Sequence, residues 1–226
     1  MRYTTLLIDA DDTLLDFGSA EREAFMKTFE KLGKPSDEDL YRLYSAINLS
    51  LWKAFERGEI EKSAIPQRRF ERLYEEAQIS GDPREAASVY VETLTCQGQL
   101  IPGAREFLER VCETHDIYAV TNGIKSIQRG RFAKADIGRY FKGVFISEEV
   151  GVGKPDKRYF DYVLEHIDEK DPEKVLVIGD SLTSDVLGAV NAGLDSVWFN
   201  ARGEKAREDI LPTYTVTGYD RVFEII

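Results

Sequence analysis

Short apolar runs alternate with helical patterns along much of the chain. The first run, residues 4–8, is too short for a helix and shows no helical period, so it is predicted to be a buried strand. Four similar runs follow much later, at residues 117–121, 144–147, 175–179 and 196–200. Helical patterns separate the runs, at residues 104–112, 125–135, 157–166 and 183–192. This alternation predicts an α/β fold in which a parallel sheet is covered by helices on both faces.

The stretch between the first two strands contains no strand-like run. Its apolar side chains repeat at helical spacing, as they do at Phe25, Phe29 and Leu32. Glycine and proline supply breaks between the helical segments. The sequence therefore predicts a helical bundle, residues 16–100, inserted into a discontinuous α/β domain of residues 1–15 and 101–226.

Composition narrows the class of protein. Of the 226 residues, 42% are hydrophobic, which is enough for a sizeable core. The net charge of −11 argues against a nucleic acid polymer or an anionic membrane as the partner. No apolar stretch is long enough to span a membrane, residues 1–30 show no signal peptide, and Cys96 and Cys112 lack metal-ligand spacing. We expect a cytoplasmic protein, a monomer or homodimer, that acts on a small molecule.

Polar side chains follow four of the five predicted strands. Ligands of open α/β sheets bind beyond the carboxyl ends of the strands, so these side chains are the candidates for a site. In chain order they are Asp9 and Asp11, then Thr121, Asn122 and Gly123, then Lys154, and finally Asp180 and Asp185.

The charges of these groups predict a divalent cation. Four carboxylates in one cleft, those of Asp9, Asp11, Asp180 and Asp185, repel one another unless cations are present. Lys154 and one Mg²⁺ together offset most of that charge, and Mg²⁺ prefers carboxylate oxygens and bridges to substrate phosphates. Zinc is disfavoured, because the chain has two histidines and no cysteine pair with ligand spacing.

The same residues are suited to phosphoryl transfer. A carboxylate at a strand tip, Asp9, can attack phosphorus, while Asp11 can protonate the leaving oxygen and later activate water. Lys154, Thr121 and the backbone of Asn122 and Gly123 could hold the phosphate oxygens. A helix that begins near residue 125 would point its N-terminus at the same anion.

The order of these motifs resembles the haloacid dehalogenase-like hydrolase superfamily. The matching motifs are Asp9-x-Asp11-x-Thr13, Thr121-Asn122, Lys154-Pro155 and Gly179-Asp180 followed by Asp185. The resemblance covers nearly the whole chain and implies a Rossmann-like core, Mg²⁺ and an aspartyl-phosphate intermediate. It also implies that the helical insert is the four-helix cap of one subfamily. Dehalogenases of the superfamily lack the second aspartate of the first motif, so Asp11 favours phosphate esters.

The resemblance also implies roles for individual residues. Asp9 is the nucleophile and Asp11 the acid and base. Mg²⁺ is held by the Asp9 carboxylate, the Asp11 backbone carbonyl and Asp180, with Asp185 either a ligand or just behind the ligands.

A narrower resemblance links the chain to noncanonical pyrimidine nucleotidases of this superfamily. The residues that carry it are Asp9 to Asp11, Asn48 with Leu51 and Trp52, residues 121–123, residues 146–152, and residues 198–200. It implies hydrolysis of pyrimidine nucleoside monophosphates. Phe17, Asn48 and Trp52 are candidates for substrate selection, although a tryptophan at such a helical position more often packs in a core than against a base. Arg68 and Arg69 are expected to be solvated helix residues.

Two other functions remain compatible with the motifs. The first is a phosphatase or phosphomutase for a sugar phosphate or another small phosphorylated metabolite. The second is a non-catalytic phosphate-sensing module, although such receiver-like domains are about half this length. Release of free phosphate from a monoester would separate a hydrolase from a phosphomutase and from a phosphate-sensing module, and the preferred ester would separate a nucleotidase from other phosphatases.

Overall fold

A parallel sheet of six strands organises the chain in a computed structural model that describes residues 2–226. The strands are β1 (Thr5–Asp9), β2 (Asp116–Thr121), β3 (Gly143–Ile146), β4 (Val175–Gly179), β5 (Asp195–Phe199) and β6 (Tyr214–Val216). Their order across the sheet is β3-β2-β1-β4-β5-β6, and every neighbouring pair is parallel. This arrangement confirms the predicted α/β fold. The first five strands lie within one residue of their predicted bounds, whereas β6 was not predicted because three residues at a sheet edge carry too little pattern.

Ten α-helices accompany the sheet in the described residues. They are α1 (Phe17–Lys31), α2 (Glu38–Glu56), α3 (Ile65–Glu76), α4 (Pro83–Thr95), α5 (Ala104–Val111), α6 (Lys125–Ala135), α7 (Ser147–Val150), α8 (Lys157–His166), α9 (Leu187–Ala192) and α10 (Tyr219–Val222). Short 3₁₀ turns occupy Lys62–Ala64, Gly138–Tyr140 and Pro172–Lys174, and a π-helical turn occupies Leu182–Val186. The helix predicted over 183–192 therefore begins as a wider turn.

Burial explains why β1 and β4 lie at the centre of the sheet. Every residue of both strands is buried, as expected for parallel strands covered on two faces. One side of this core packs Leu7 and Val177 against Tyr159 and Phe160 of α8. The carboxyl ends of β1 and β4 are thereby fixed next to each other, since Ile8 pairs with Ile178 in register.

The chain divides into two compact units. One holds residues 2–16, 99–125 and 135–226, and the other holds residues 17–98 and 126–134. The second unit contains α1 to α4, in which α1 and α3 pack on α4 and α2 packs on α3. Its core is aromatic, with Phe25, Tyr44, Phe70 and Tyr90 in a chain of ring contacts about 5 Å apart. This helical unit resembles the predicted insert but also takes in most of α6.

None of the helices within residues 2–226 is both long and apolar enough to cross a membrane.

Candidate active site

The carboxyl ends of β1, β2 and β4 bring together side chains that are far apart in the sequence. Asp9 ends β1 and Asp180 follows β4 directly, while Lys154 comes from the loop between α7 and α8. Parallel strands present their carboxyl ends at one edge of the sheet, so the predicted residues meet there. The arrangement places charged groups over the centre of the sheet, where the strand order reverses.

Lys154 contacts three other groups of this site. Its ammonium donates to Asp9 Oδ1 at 2.6 Å, to Asp185 Oδ1 at 2.6 Å and to the carbonyl oxygen of Val120 at 2.9 Å. Burial alone would lower the pKa of Lys154, but the carboxylates of Asp185 and Asp9 outweigh burial and raise it. The lysine is therefore charged and held by three acceptors despite being buried.

Asn122 fixes the backbone on which Lys154 is carried. Its Oδ1 accepts from the Lys154 amide at 2.9 Å, and its Nδ2 donates to the Lys154 carbonyl at 2.7 Å. Gly153 permits this approach, because a Cβ there would lie 2.6 Å from Asn122 Oδ1. The Asn122 side chain is therefore engaged in positioning Lys154. Only the backbone of Asn122 is left for the predicted phosphate contact. Thr121, which is buried, accepts from the Gly123 amide at 3.0 Å and shapes the turn that follows β2.

Asp185 lies in the π-helical turn that follows β4. Its Oδ1 accepts from Lys154, and its Oδ2 accepts from the Ser181 amide at 3.1 Å. Gly179 makes room for it, since a Cβ at that position would lie 2.3 Å from the Asp185 carboxyl carbon. Single π-helical turns often occur at functional sites. Here the turn carries a carboxylate back over the end of the strand.

Asp180 is anchored from the neighbouring strand. The indole nitrogen of Trp198, on β5, donates to the Asp180 carbonyl oxygen at 2.7 Å. Trp198 is buried, so this contact ties the loop after β4 to the neighbouring strand. The sequence singled out Trp198 only through the narrower resemblance and gave it no role.

Three carboxylates form a group that suits a hard cation. One oxygen from each of Asp9, Asp180 and Asp185 lies within 4.8 Å of the other two. Burial, followed by repulsion from Asp185, raises the pKa of Asp9; burial, followed by repulsion from Asp9, raises the pKa of Asp180. Lys154 offsets only part of this charge, so the donor set fits a divalent ion with oxygen preference.

Asp11 lies in a tight turn after β1 and does not belong to this group of three carboxylates. The Leu14 and Leu15 amides both donate to the Ala10 carbonyl, at 2.9 and 2.8 Å, which closes the turn. Asp12 adopts a left-handed conformation within it and pairs with Arg202 at 2.7 Å. Asp12 is therefore a loop residue of this turn.

The candidates for substrate selection lie in the helical unit. Phe17 begins α1, and the guanidinium of Arg131 lies 5.5 Å from the centre of its ring. Trp52 is half-buried and packs edge-on against Phe55 at 6.0 Å. Asn48 is buried, and its amide bonds two charged residues, Glu21 and Arg69.

The expectation that Arg69 is solvated is wrong. Its side chain is 1% exposed, whereas the adjacent Arg68 is exposed as expected. Successive helical residues point about 100° apart, so one arginine of the pair faces the core and the other faces water. The apolar residues at 65, 70 and 73 mark the buried face of α3, and that face includes position 69.

Comparisons with known proteins agree with the site. A family model described as haloacid dehalogenase-like hydrolase matches residues 3–193. The pyrimidine 5′-nucleotidase PynA of Streptococcus pneumoniae is 37% identical, with 100% of this chain and 96% of PynA covered. The pyrimidine 5′-nucleotidase YjjG of Escherichia coli is 31% identical, with 100% and 99% covered. A magnesium-bound crystal structure of the HAD-hydrolase YfnB of Bacillus subtilis, which reveals interdomain movement in that protein, is 37% identical and superposes with a TM-score of 0.94, covering 100% of this chain and 99% of YfnB. The chain belongs to the haloacid dehalogenase-like hydrolase family.

Proposed function

We propose that the protein is a Mg²⁺-dependent phosphomonoesterase, and specifically a 5′-nucleotidase acting on pyrimidine nucleoside monophosphates. The observation that carries the proposal is the contact of Lys154 with both Asp9 and Asp185 at the carboxyl end of β1. A carboxylate beside a fixed cation is suited to attack an anionic phosphate that the same cation attracts. The names of two relatives, PynA and YjjG, support the choice of substrate.

The carboxylates at the site would hold the metal. Asp9 and Asp180 are the proposed ligands, with the Asp11 backbone carbonyl as a third and Asp185 either a ligand or a neighbour that keeps Lys154 in place. When bound, Mg²⁺ neutralises charge on the phosphoryl oxygens and lowers the repulsion between the ester and the carboxylates.

The proposed reaction has two steps with Asp9 as the nucleophile. An Asp9 carboxylate oxygen bonds to phosphorus as the bond to the ester oxygen breaks, and the leaving oxygen takes a proton from Asp11. A water molecule then gives its proton to Asp11 and bonds to phosphorus, which releases inorganic phosphate and restores the Asp9 carboxylate. Asp11 therefore returns to its starting protonation state after each turnover.

The groups around Asp9 would hold the phosphate during both steps. Lys154 supplies a charge that is already oriented, so little reorganisation is needed as negative charge develops. Thr121, with the backbone amides of Asn122 and Gly123, completes the proposed phosphate contacts at the end of β2. We propose that residues 16–100 act as a cap that excludes water during attack. The interdomain movement seen in crystals of YfnB supports a mobile cap.

Phosphate release from a panel of monoesters tests the function. The panel contains dUMP, UMP, dTMP, purine nucleotides, sugar phosphates and p-nitrophenyl phosphate, each with Mg²⁺ and with EDTA. We expect release that depends on Mg²⁺ and favours pyrimidine monophosphates. Preference for sugar phosphates would contradict the nucleotidase assignment but keep the phosphatase, and no release from any ester would contradict both.

A further inference from the structure

The connection between β5 and β6, residues 200–213, contains neither helix nor strand. The two strands are parallel, so the chain has to cross back along the sheet between them, and such crossovers are usually helices. Without helical hydrogen bonds, the position of this β5–β6 loop depends on its contacts with the rest of the α/β unit. The loop leaves β5 at its carboxyl end, at the edge of the sheet where Asp180 lies.

The start of the β5–β6 loop is closed by one side chain. Asn200 Oδ1 accepts from the Glu204 amide at 2.7 Å, and Asn200 Nδ2 donates to the Glu204 carbonyl oxygen at 3.0 Å. These two bonds fold residues 200–204 into a compact turn. Residues of the turn and Asp180 line a common cavity of about 210 Å³. Open space therefore borders Asp180 on this side, where close packing would otherwise restrain it.

The other end of the β5–β6 loop is anchored by Ile210. Within residues 201–211, all of which the structure describes, Ile210 is the one buried side chain, at 4% exposed. The adjacent Leu211 has a side chain of the same size and is 71% exposed. Apolar character alone does not explain why one of the two is buried, so the surface beneath Ile210 is specific for that position.

Ile210 packs against the two segments that hold Asp180 and Asp185. It forms a small buried cluster with Leu182, Val186 and Trp198. Leu182 and Val186 are the first and last residues of the π-helical turn that contains Asp185. Trp198 donates to the Asp180 carbonyl oxygen at 2.7 Å. Each buried partner of Ile210 therefore belongs to the segment of residues 180–186 or is bonded to it.

This segment needs support because of its charge. One oxygen from each of Asp9, Asp180 and Asp185 lies within 4.8 Å of the other two, and carboxylates at such separations repel one another. The repulsion acts to spread the segment that carries two of the three groups. Burial of Ile210 against the π-helical turn opposes that movement, since spreading the turn would expose apolar surface to water.

We propose that Ile210 is a positioning residue for the candidate metal site, and that its packing on the π-helical turn and on Trp198 keeps Asp180 and Asp185 at the separation a divalent cation requires. Mg²⁺ tolerates little departure from its preferred geometry, so small displacements of its ligands weaken binding. The inference rests on the proposed Mg²⁺ dependence and deepens it, because it names a residue outside the ligand set that controls metal affinity.

Ile210→Ala tests the proposal, with Leu211→Ala as the matched control. Calorimetric titration with Mg²⁺, without substrate, measures the metal affinity of each protein. We expect Ile210→Ala to bind Mg²⁺ about 10-fold more weakly than the wild type, as for the loss of other groups that orient metal ligands. Leu211→Ala removes an exposed side chain of the same size and should bind Mg²⁺ as the wild type does.

Kinetics separate positioning from a general structural loss. All the proposed ligands remain in Ile210→Ala, so kcat at saturating Mg²⁺ should stay close to that of the wild type. The Mg²⁺ concentration that gives half of the maximal rate should rise by the same factor as the dissociation constant. A lower kcat with unchanged Mg²⁺ affinity would overturn the inference, because it would show damage that does not involve the metal.

Ile210→Val covers the case in which Ile210→Ala does not fold. This variant removes one methyl group and should weaken Mg²⁺ binding in the same direction by a smaller factor. An affinity equal to that of the wild type would then overturn the inference, as would a wild type that binds no Mg²⁺. If the wild type binds Mg²⁺ but hydrolyses no ester, the proposed function fails and the titration still decides the role of Ile210.

Discussion

Tyr219 donates its hydroxyl to the backbone carbonyl oxygen of Thr13 at 2.6 Å and so ties α10 to the loop that carries Asp11. The ring of Tyr219 is stacked between Phe107 and Phe199, with both ring centres 4.8 Å away. The ring and the hydroxyl therefore have separate tasks, since the ring packs in the core and the hydroxyl restrains the loop.

Removing this hydroxyl should loosen the loop without disturbing the core. In Tyr219→Phe the stacked ring stays in place while the Thr13 carbonyl loses its donor. We expect the free energy of unfolding to fall by about 1–3 kcal/mol, measured by urea denaturation. We also expect kcat to fall more than KM rises, because the loop carries Asp11.

Tyr140→Phe is the control for this comparison. The Tyr140 hydroxyl donates to Glu109 at an exposed position, so its loss should change stability by less than about 0.5 kcal/mol. Equal stability losses in the two variants would contradict a special role for the Tyr219 contact.

Asp9→Asn should abolish turnover and preserve the fold. The amide cannot form the proposed covalent intermediate, so phosphate release should fall by at least about a thousandfold. Burial and repulsion from Asp185 raise the pKa of Asp9, so replacing the carboxylate removes an unfavourable buried charge. The thermal midpoint should therefore stay the same or rise.

Asp12→Asn is the matched control for the nucleophile. Asp12 lies three residues further along the chain, in the turn after β1, and pairs with Arg202, so this variant should keep most of the activity. Substantial phosphate release by Asp9→Asn would show that another residue is the nucleophile.

Gly179→Ala should displace Asp185. The added Cβ would lie 2.3 Å from the Asp185 carboxyl carbon, a distance that forces a shift in this buried region. We expect a loss of stability of about 1–3 kcal/mol together with a loss of activity, because Asp185 positions Lys154. Gly138→Ala is the control, since a Cβ there would meet no atom within 4 Å. Wild-type activity in Gly179→Ala would mean that the position of Asp185 has little effect on the site.

His115 should make the fold less stable in mild acid. Burial lowers its pKa below the value of 6.5 that it has in an unfolded chain, and its Nε2 has no hydrogen-bond partner among residues 2–226. The unfolded chain therefore binds more protons than the folded protein as the pH falls through 6.5. Neutral His115 therefore contributes to stability above pH 6.5. This contribution is lost as the pH falls towards the pKa of His115 in the folded protein.

Denaturation curves between pH 5 and 8 measure this effect. His115→Gln should show a smaller decrease in the free energy of unfolding on acidification than the wild type. The other histidine, His166, is exposed, so His166→Gln should follow the wild type. Parallel pH profiles for the wild type and His115→Gln would contradict the assignment.

The sequence predicted the strands and the polar residues after them, because both depend on local pattern. Long apolar runs in buried parallel strands are distinctive, and the rule for strand ends then groups Asp9 with Asp180. The order of the strands in the sheet could not be predicted from local pattern, and neither could the neighbours of each side chain, which depend on that order. The three-residue strand β6 was missed for the same reason.

Contacts between distant residues were the part that sequence reasoning missed. The bond between Asn122 and the Lys154 backbone joins residues 32 positions apart, and the bond from Trp198 to Asp180 joins different strands. Arg69 shows a different limit. Arginine is usually a surface residue, so the residue type alone predicts an exposed side chain. Only the apolar positions around Arg69 on α3 indicate that it is buried.

The position of β1 has a consequence for how the protein is made. β1 leaves the ribosome before the other strands, yet its partners β2 and β4 begin only at Asp116 and Val175. While about a hundred further residues are synthesised, the nascent chain therefore carries an apolar strand with neither edge paired, a state prone to aggregation. Most of the helical unit lies within residues 17–98 and can fold from local contacts while β1 waits. The carboxylates of Asp9, Asp180 and Asp185 are united only when synthesis has passed residue 185, so no shorter nascent chain can carry all three.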